Sequence, residues 1–164
     1  MSAAGRGSTF TVVLPVAPRG AAEAEPPPPR GEPARGLRVL VVDDEPLFCR
    51  AVVRMLSPGH AVVAVEDPRE ALRRIELGER FDVVLSDIHM PGLSGIELHA
   101  AVERVAPELA ARMLFVTGGA FGSTAADFLD RMKGRVLEKP LEASQIQAAI
   151  GGLLRPRAEA PASA

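Results

Sequence analysis

The 164-residue chain contains no Trp and no Tyr, a single Cys and three His, and its aromatic residues amount to six Phe. Each shortage excludes something. The lone cysteine, Cys49, cannot form a disulfide within the chain, which fits a reducing compartment. His60, His89 and His99 are scattered along the sequence and, with one Cys, offer no spacing suited to a zinc site. Charge of one sign is also missing. The 19 Lys and Arg are interspersed with 21 Asp and Glu for a net charge of −2, so there is no basic footprint for nucleic acid, which is not expected as a partner. No apolar run approaches the roughly 20 residues that a membrane span needs. The N-terminus lacks a charged region followed by an apolar signal core, so a cytoplasmic chain without membrane contact is expected. What remains is 47% hydrophobic, with Val, Leu, Ile, Ala and Phe to build one core of ordinary α/β type. The oligomeric state leaves no mark in the sequence.

The organisation follows from composition and periodicity. Residues 17–36 include PPPP among alternating Ala, Glu, Arg and Gly, with almost nothing bulky to bury. They read as a linker partly stiffened by polyproline II. From Leu37 the texture changes to short apolar runs of strand length: LRVLVV, AVVAV, FDVVLS, MLFVT and RVLE. Between them lie helical patterns. Pro46 suits a first turn, with Phe48, Val52, Met55 and Leu56 on one face. Asp67 and Pro68 open EALRRIELG, which Gly78 stops. Ser94 opens GIELHAAVERV, Ser123 or Thr124 opens AADFLDRM, and Glu142 or Ala143 opens SQIQAAIGGLL. Strand and helix thus alternate five times. Strands apolar along their whole length are buried on both faces, so the expected fold is a flavodoxin-like (βα)5 three-layer sandwich. Its five-stranded parallel sheet has the order 2-1-3-4-5, with ligands bound beyond the carboxyl ends of the first and third strands.

Those strand ends carry the reactive groups. The first strand ends in Asp43 and Asp44, the third in Asp87, the fourth in Thr117, and the fifth runs into Glu138, Lys139 and Pro140. Carboxylates gathered there repel one another unless a cation compensates, and all-oxygen ligands with room for water favour Mg²⁺. A carboxylate beside a divalent ion, a hydroxyl and an ammonium suits phosphoryl transfer onto the carboxylate, with Asp87 as nucleophile. The glycine-bearing loop after it, IHMPGLSG, lets backbone groups approach metal and phosphate. Plainer readings exist for each residue alone. Asp43 and Asp44 could cap a helix, Thr117 and Gly118 could form a turn, and Lys139 could be a solvated charge. His89 reads as a loop residue, and His60 and His99 as surface or boundary residues.

VVDDE, SDIHMPGLSG, VTGG and EKP, in this order and spacing, resemble the receiver domain of two-component response regulators over about residues 37–154. The resemblance implies that Asp87 accepts the phosphoryl group and that Asp44 ligates Mg²⁺ directly. It makes Asp43 a ligand largely through water, with the His89 backbone carbonyl completing the protein's share of the shell. Thr117 is implied as the hydroxyl that moves toward the phosphoryl group, and Lys139 as its ionic partner across a Lys139–Pro140 peptide that is cis. The family often places Tyr or Phe three residues before the lysine. Val136 stands there, so coupling between the threonine and an aromatic is absent or rerouted. His89 and Gly119 flank the phosphoryl site, where the family tunes phosphoryl lifetime. An aspartyl phosphohydrolase of the haloacid dehalogenase type would want a second Asp where His89 stands, and a dinucleotide-binding domain would want GxGxxG where DDEP stands. A receiver-like interaction module that works without phosphorylation is the alternative reading.

The segment GRGSTFTVVLP, within residues 1–16, resembles the closing strand of the ATP-binding domain of sensor histidine kinases. With a linker and receiver downstream, it implies the C-terminal piece of a hybrid histidine kinase, or a reading frame started at an internal Met. Such a chain performs no ATP-dependent phosphorylation itself, because the nucleotide-binding boxes are missing. Implied partners are a sensor histidine kinase, in cis or in trans, and a histidine phosphotransfer protein. Residues 155–164 read as a disordered tail.

Overall fold

The computed structural model describes residues 35–118 and 123–154. The expectations for residues 1–34, for Gly119 and for the 155–164 tail lie outside the described residues. The five apolar runs form β1 (Arg38–Val42), β2 (Ala61–Val65), β3 (Val83–Asp87), β4 (Met113–Thr117) and β5 (Val136–Glu138). They pair in parallel in the order β2-β1-β3-β4-β5. The central strands β3 and β4 are buried throughout, and β1 is buried from Val39 onward, whereas β2 and β5 are partly exposed. Burial on both faces therefore holds for the central strands only, because an edge strand lacks a neighbour on one side.

Capping chemistry places the helices. Pro46 opens α1 (Pro46–Leu56). The Asp67 side chain accepts from the Arg69 amide at 2.9 Å to start α2 (Pro68–Glu76), which ends before Gly78 at φ 84°. Ser94 and Glu97 form a reciprocal capping box at α3 (Gly95–Val105). Pro107 cannot continue that helix and instead begins a separate turn, α4 (Pro107–Ala110), a sixth helical element that the fivefold alternation did not anticipate. Next come α5 (Ser123–Arg131) and α6 (Ala143–Leu154).

Strand alternation divides the core into two layers. Val39, Val41, Val83, Leu85, Leu114 and Val116 meet α1 and α6 through Cys49, Val52, Leu56, Ile146 and Ile150. Leu40, Val42, Val84, Met113 and Phe115 meet α2, α3 and α5 through Ala71, Ile75, Leu98, Val102 and Phe128.

Two histidines depart from expectation. His60 and His99 are buried, not at the surface. His99 shares a helix face with Gly95, Leu98 and Val102, and its ring makes edge contacts with Phe115 and Phe128 at 5.6 and 5.7 Å between centroids. Burial holds its imidazole below the ordinary value, with Arg135 and Arg131 acting in the same direction. Glu103 and a hydrogen bond with the Ala110 backbone oppose the shift. His60 lies against the Gln147 side chain, 3.2 Å from Oε1.

Candidate functional site

Parallel order brings the carboxyl ends of β1, β3, β4 and β5 to one rim of the sheet. Asp43 follows β1 in the alternation of Val39 and Val41. Asp87 follows Val83 and Leu85, and Lys139 lies two residues beyond Leu137. All three therefore emerge on the α1 and α6 side. Thr117 follows Met113 and Phe115 and belongs to the opposite side. It is fully buried, and its carbonyl accepts from the Lys139 amide at 2.7 Å.

Lys139 ties the carboxylates together. Its ammonium lies 2.8 Å from Asp43 Oδ2 and 3.0 Å from Asp87 Oδ1. The second oxygen of each carboxylate is also engaged. Asp43 Oδ1 accepts from the Glu45 amide at 2.9 Å, and Asp87 Oδ2 accepts from the His89 amide at 2.6 Å. An ordinary ion pair lowers the acid and raises the base. Here burial pushes the Asp43 carboxyl above its ordinary value despite the opposing Lys139 and Glu45 contacts, with the Asp87 charge adding to the rise. Burial pulls Lys139 down, but its hydrogen bonds to Asp43 and Asp87 outweigh that and leave it raised. The asymmetry is physical: the Asp43 side chain is 1% exposed, whereas Lys139, at 23%, keeps contact with water.

The loop after Asp87 is pulled in tightly. A Cβ on Gly95 would stand 2.1 Å from the Asp87 carbonyl oxygen. Only glycine lets α3 start directly beneath the end of β3, with the Gly95 amide donating to the Ile88 carbonyl at 3.0 Å. Gly92 turns the loop at φ 79°.

Asp43, Asp44, Glu45, Asp87, His89, Gly118 and Lys139 line one open cleft. Asp44 and His89 are exposed there. Of the residues singled out from sequence, Asp43, Asp87 and Lys139 are in direct contact. Asp44 and His89 share the cleft, His89 through its amide on Asp87 Oδ2, and Thr117 lies buried outside its lining. Two participants escaped the sequence reading. Glu45 was visible only as the third acid of DDE. Phe48, whose ring lies beneath the Lys139 ammonium at 4.1 Å to its centroid, carried no local signal beyond its core-facing helix position.

The donor set fits magnesium by its chemistry. Four carboxylates face the cleft against one ammonium, their donor atoms are all oxygen, and the opening leaves room for the waters that Mg²⁺ retains. It is not a preassembled cage: among the described residues no three His, Cys, Asp or Glu side chains form a ready set of metal ligands. The thiol of Cys49 takes no part in such chemistry. Burial, followed by the Asp43 and Glu66 charges, pushes it up to about 11, and Sγ donates to the Asp43 carbonyl at 3.3 Å.

Among the described residues no helix is long and apolar enough to cross a membrane. The family model described as the response regulator receiver domain matches residues 39–151. The chain is 32% identical over 121 residues to the transcriptional regulatory protein TcrA of Mycobacterium tuberculosis, covering 73% of this chain and 47% of that protein. It is 34% identical over 157 residues to the sensor histidine kinase AruS of Pseudomonas aeruginosa, covering 92% of this chain and 15% of the kinase. The chain thus spans less than half the length of either relative. A receiver domain from Clostridium thermocellum superposes with a TM-score of 0.61 at 27% identity, covering 71% of this chain and 93% of that one. Domains of this kind generally bind Mg²⁺ at the phosphorylation site and interact with histidine kinases. With its 2-1-3-4-5 sheet, its acidic rim and a family match across most of its length, the chain belongs to the response regulator receiver domains of two-component systems.

Proposed function

We propose that Asp87 accepts a phosphoryl group from a phosphohistidine and passes it to water or to a histidine phosphotransfer protein. The observation that carries this reading is the setting of Asp87. It lies at the end of β3 in an open acidic cleft, with Lys139 on one carboxylate oxygen and the His89 amide on the other. An Asp87 oxygen attacks phosphorus, the new O–P bond forms as the N–P bond breaks, and the departing ring nitrogen leaves with the electron pair. Lys139 pairs its ammonium, in place over the cleft, with a phosphoryl oxygen, and the Thr117 hydroxyl moves from its buried position to donate to another. Asp43, Asp44, Asp87 and the His89 backbone carbonyl are the residues to hold Mg²⁺, which supplies charge neutralisation for the phosphoryl oxygens when bound. The test is incubation with acetyl phosphate and Mg²⁺, followed by intact-mass measurement. A base-labile adduct on the wild type and none on Asp87→Asn is expected. No adduct on the wild type would leave the phosphorylation-independent interaction module as the better account.

A sensor histidine kinase, in cis or in trans, is the proposed donor, and the cytoplasm the proposed location. The similarity to AruS supports a hybrid-kinase origin, because 92% of this chain is more than residues 35–164 can supply, so the match runs into the N-terminal segment. On this reading residues 1–16 are the last strand of a kinase ATP-binding domain and 17–36 the linker to the receiver. A kinase reading frame upstream of and in frame with Met1 is expected. An unrelated gene behind a stop codon would count against that origin without touching the role of Asp87.

A further inference from the structure

Among the described residues the Lys139 ammonium has two ionic neighbours and one aromatic one. Asp43 Oδ2 and Asp87 Oδ1 lie at 2.8 and 3.0 Å, and the face of the Phe48 ring lies at 4.1 Å to its centroid. Phe48 sits in the first turn of α1, half-buried against the layer formed by Cys49, Val52 and Leu56. The start of that helix is itself fastened to the site. Asp43 Oδ1 accepts from the Glu45 amide at 2.9 Å, the Cys49 amide donates to the Glu45 carbonyl at 3.1 Å, and the Cys49 thiol donates to the Asp43 carbonyl at 3.3 Å. One buried residue, Asp43, thereby positions both a carboxylate and a ring against the same ammonium.

We propose that Phe48 is a positioning residue for phosphoryl transfer, holding the Lys139 ammonium over the cleft through its ring face. This rests on the reading of Asp87 as phospho-acceptor. A lysine carries its charge on a flexible four-carbon stem, so its placement depends on its partners. During transfer the charge on Asp87 changes, because one of its oxygens becomes part of an acyl phosphate. Asp43 faces the same redistribution of charge across the cleft. The attraction of a neutral ring for an ammonium does not depend on the ionisation of either carboxylate. Phe48 is thus the one of the three contacts that persists unchanged before and after transfer, and it keeps the ammonium from swinging into solvent when its ionic partners weaken.

The test replaces Phe48 with mono-, di- and trifluorinated phenylalanine, which withdraw electron density from the ring face while nearly preserving shape, with Phe48→Leu and Phe48→Tyr alongside. In the resting protein, NMR follows the Lys139 ε-methylene protons. They should be shifted upfield by the ring in wild type and Phe48→Tyr, and return toward the unshifted position in Phe48→Leu. The initial rate of phosphoryl uptake from acetyl phosphate with Mg²⁺ should fall stepwise with fluorination, and by about threefold to tenfold in Phe48→Leu. A packing role alone would leave the fluorinated series flat. Absence of the upfield shift overturns the proposal, as do uptake rates unchanged across the fluorinated series. Failure of wild type to take up phosphate overturns the phospho-acceptor reading instead, and the NMR series still decides whether Phe48 holds Lys139.

Discussion

Replacing Lys139 with Met keeps an unbranched side chain of similar length and removes the ammonium. Two charge-assisted hydrogen bonds, at 2.8 and 3.0 Å, disappear, and the Asp43 and Asp87 side chains, 1% and 8% exposed, are left facing one another. Such bonds contribute about 1.5–3 kcal/mol each, and stripping the partner from a buried charge costs about 3–5 kcal/mol. Lys139 keeps 23% of its side chain in solvent, so water screens part of the interaction. The expected destabilisation is therefore about 2–4 kcal/mol at pH 7 without Mg²⁺, read from urea denaturation. The pH dependence has a definite sign. The folded Asp43 carboxyl already lies above its unfolded value of 3.8, and losing Lys139 removes contributions that lower it. A raised carboxyl costs stability above its folded value and costs none below its unfolded one, so the deficit of the variant should shrink as pH falls toward 3.8. Mg²⁺ should rescue the variant more than the wild type, because it meets two uncompensated carboxylates. A variant as stable as wild type at pH 7, or a deficit unchanged down to acid pH, would refute the view that Lys139 neutralises this site.

Three further outcomes follow from the same geometry. Gly95→Ala forces a Cβ against the Asp87 backbone, at 2.1 Å from its carbonyl oxygen, and should cost about 3 kcal/mol while slowing phosphoryl uptake. A variant with native stability and uptake would show that this approach is not required. His99 is held below its ordinary value chiefly by burial, so the fold should lose stability as pH falls below 6.5 toward the folded value, and His99→Leu should flatten that limb of the pH–stability curve. An identical limb in the variant would mean that other groups cause it. Ser94→Ala breaks the reciprocal cap with Glu97 and should cost about 1 kcal/mol in denaturant unfolding, with no loss excluding the cap as a contributor.

Most of the framework was legible because local chemistry specifies it. Pro46, Asp67 with Pro68, and Ser94 announced three helix starts through their own backbone and side-chain preferences. The continuous apolar runs gave the strands, and their acidic ends gave Asp43 and Asp87. What stayed hidden depends on distance or on competing signals. The break at Pro107 is a local signal that the regular alternation concealed. His99 read as a boundary residue although its spacing from Gly95 and Val102 placed it on the core face, where Phe115 and Phe128 receive it. The contact between Phe48 and Lys139 joins the first helix to the end of the last strand, and nothing local in either segment announces it. Asp44, expected as a direct Mg²⁺ ligand, lines the same open cleft as Asp87, and Lys139 bridges Asp43 and Asp87.

The most direct test of the central claim is to trap the acyl phosphate by borohydride reduction after acetyl phosphate treatment, and then to map the reduced residue by peptide mass spectrometry. Borohydride converts an aspartyl phosphate to homoserine, so the account predicts homoserine at position 87, only when Mg²⁺ was present during phosphorylation. Homoserine at position 43 or 44, or at no position, would contradict it.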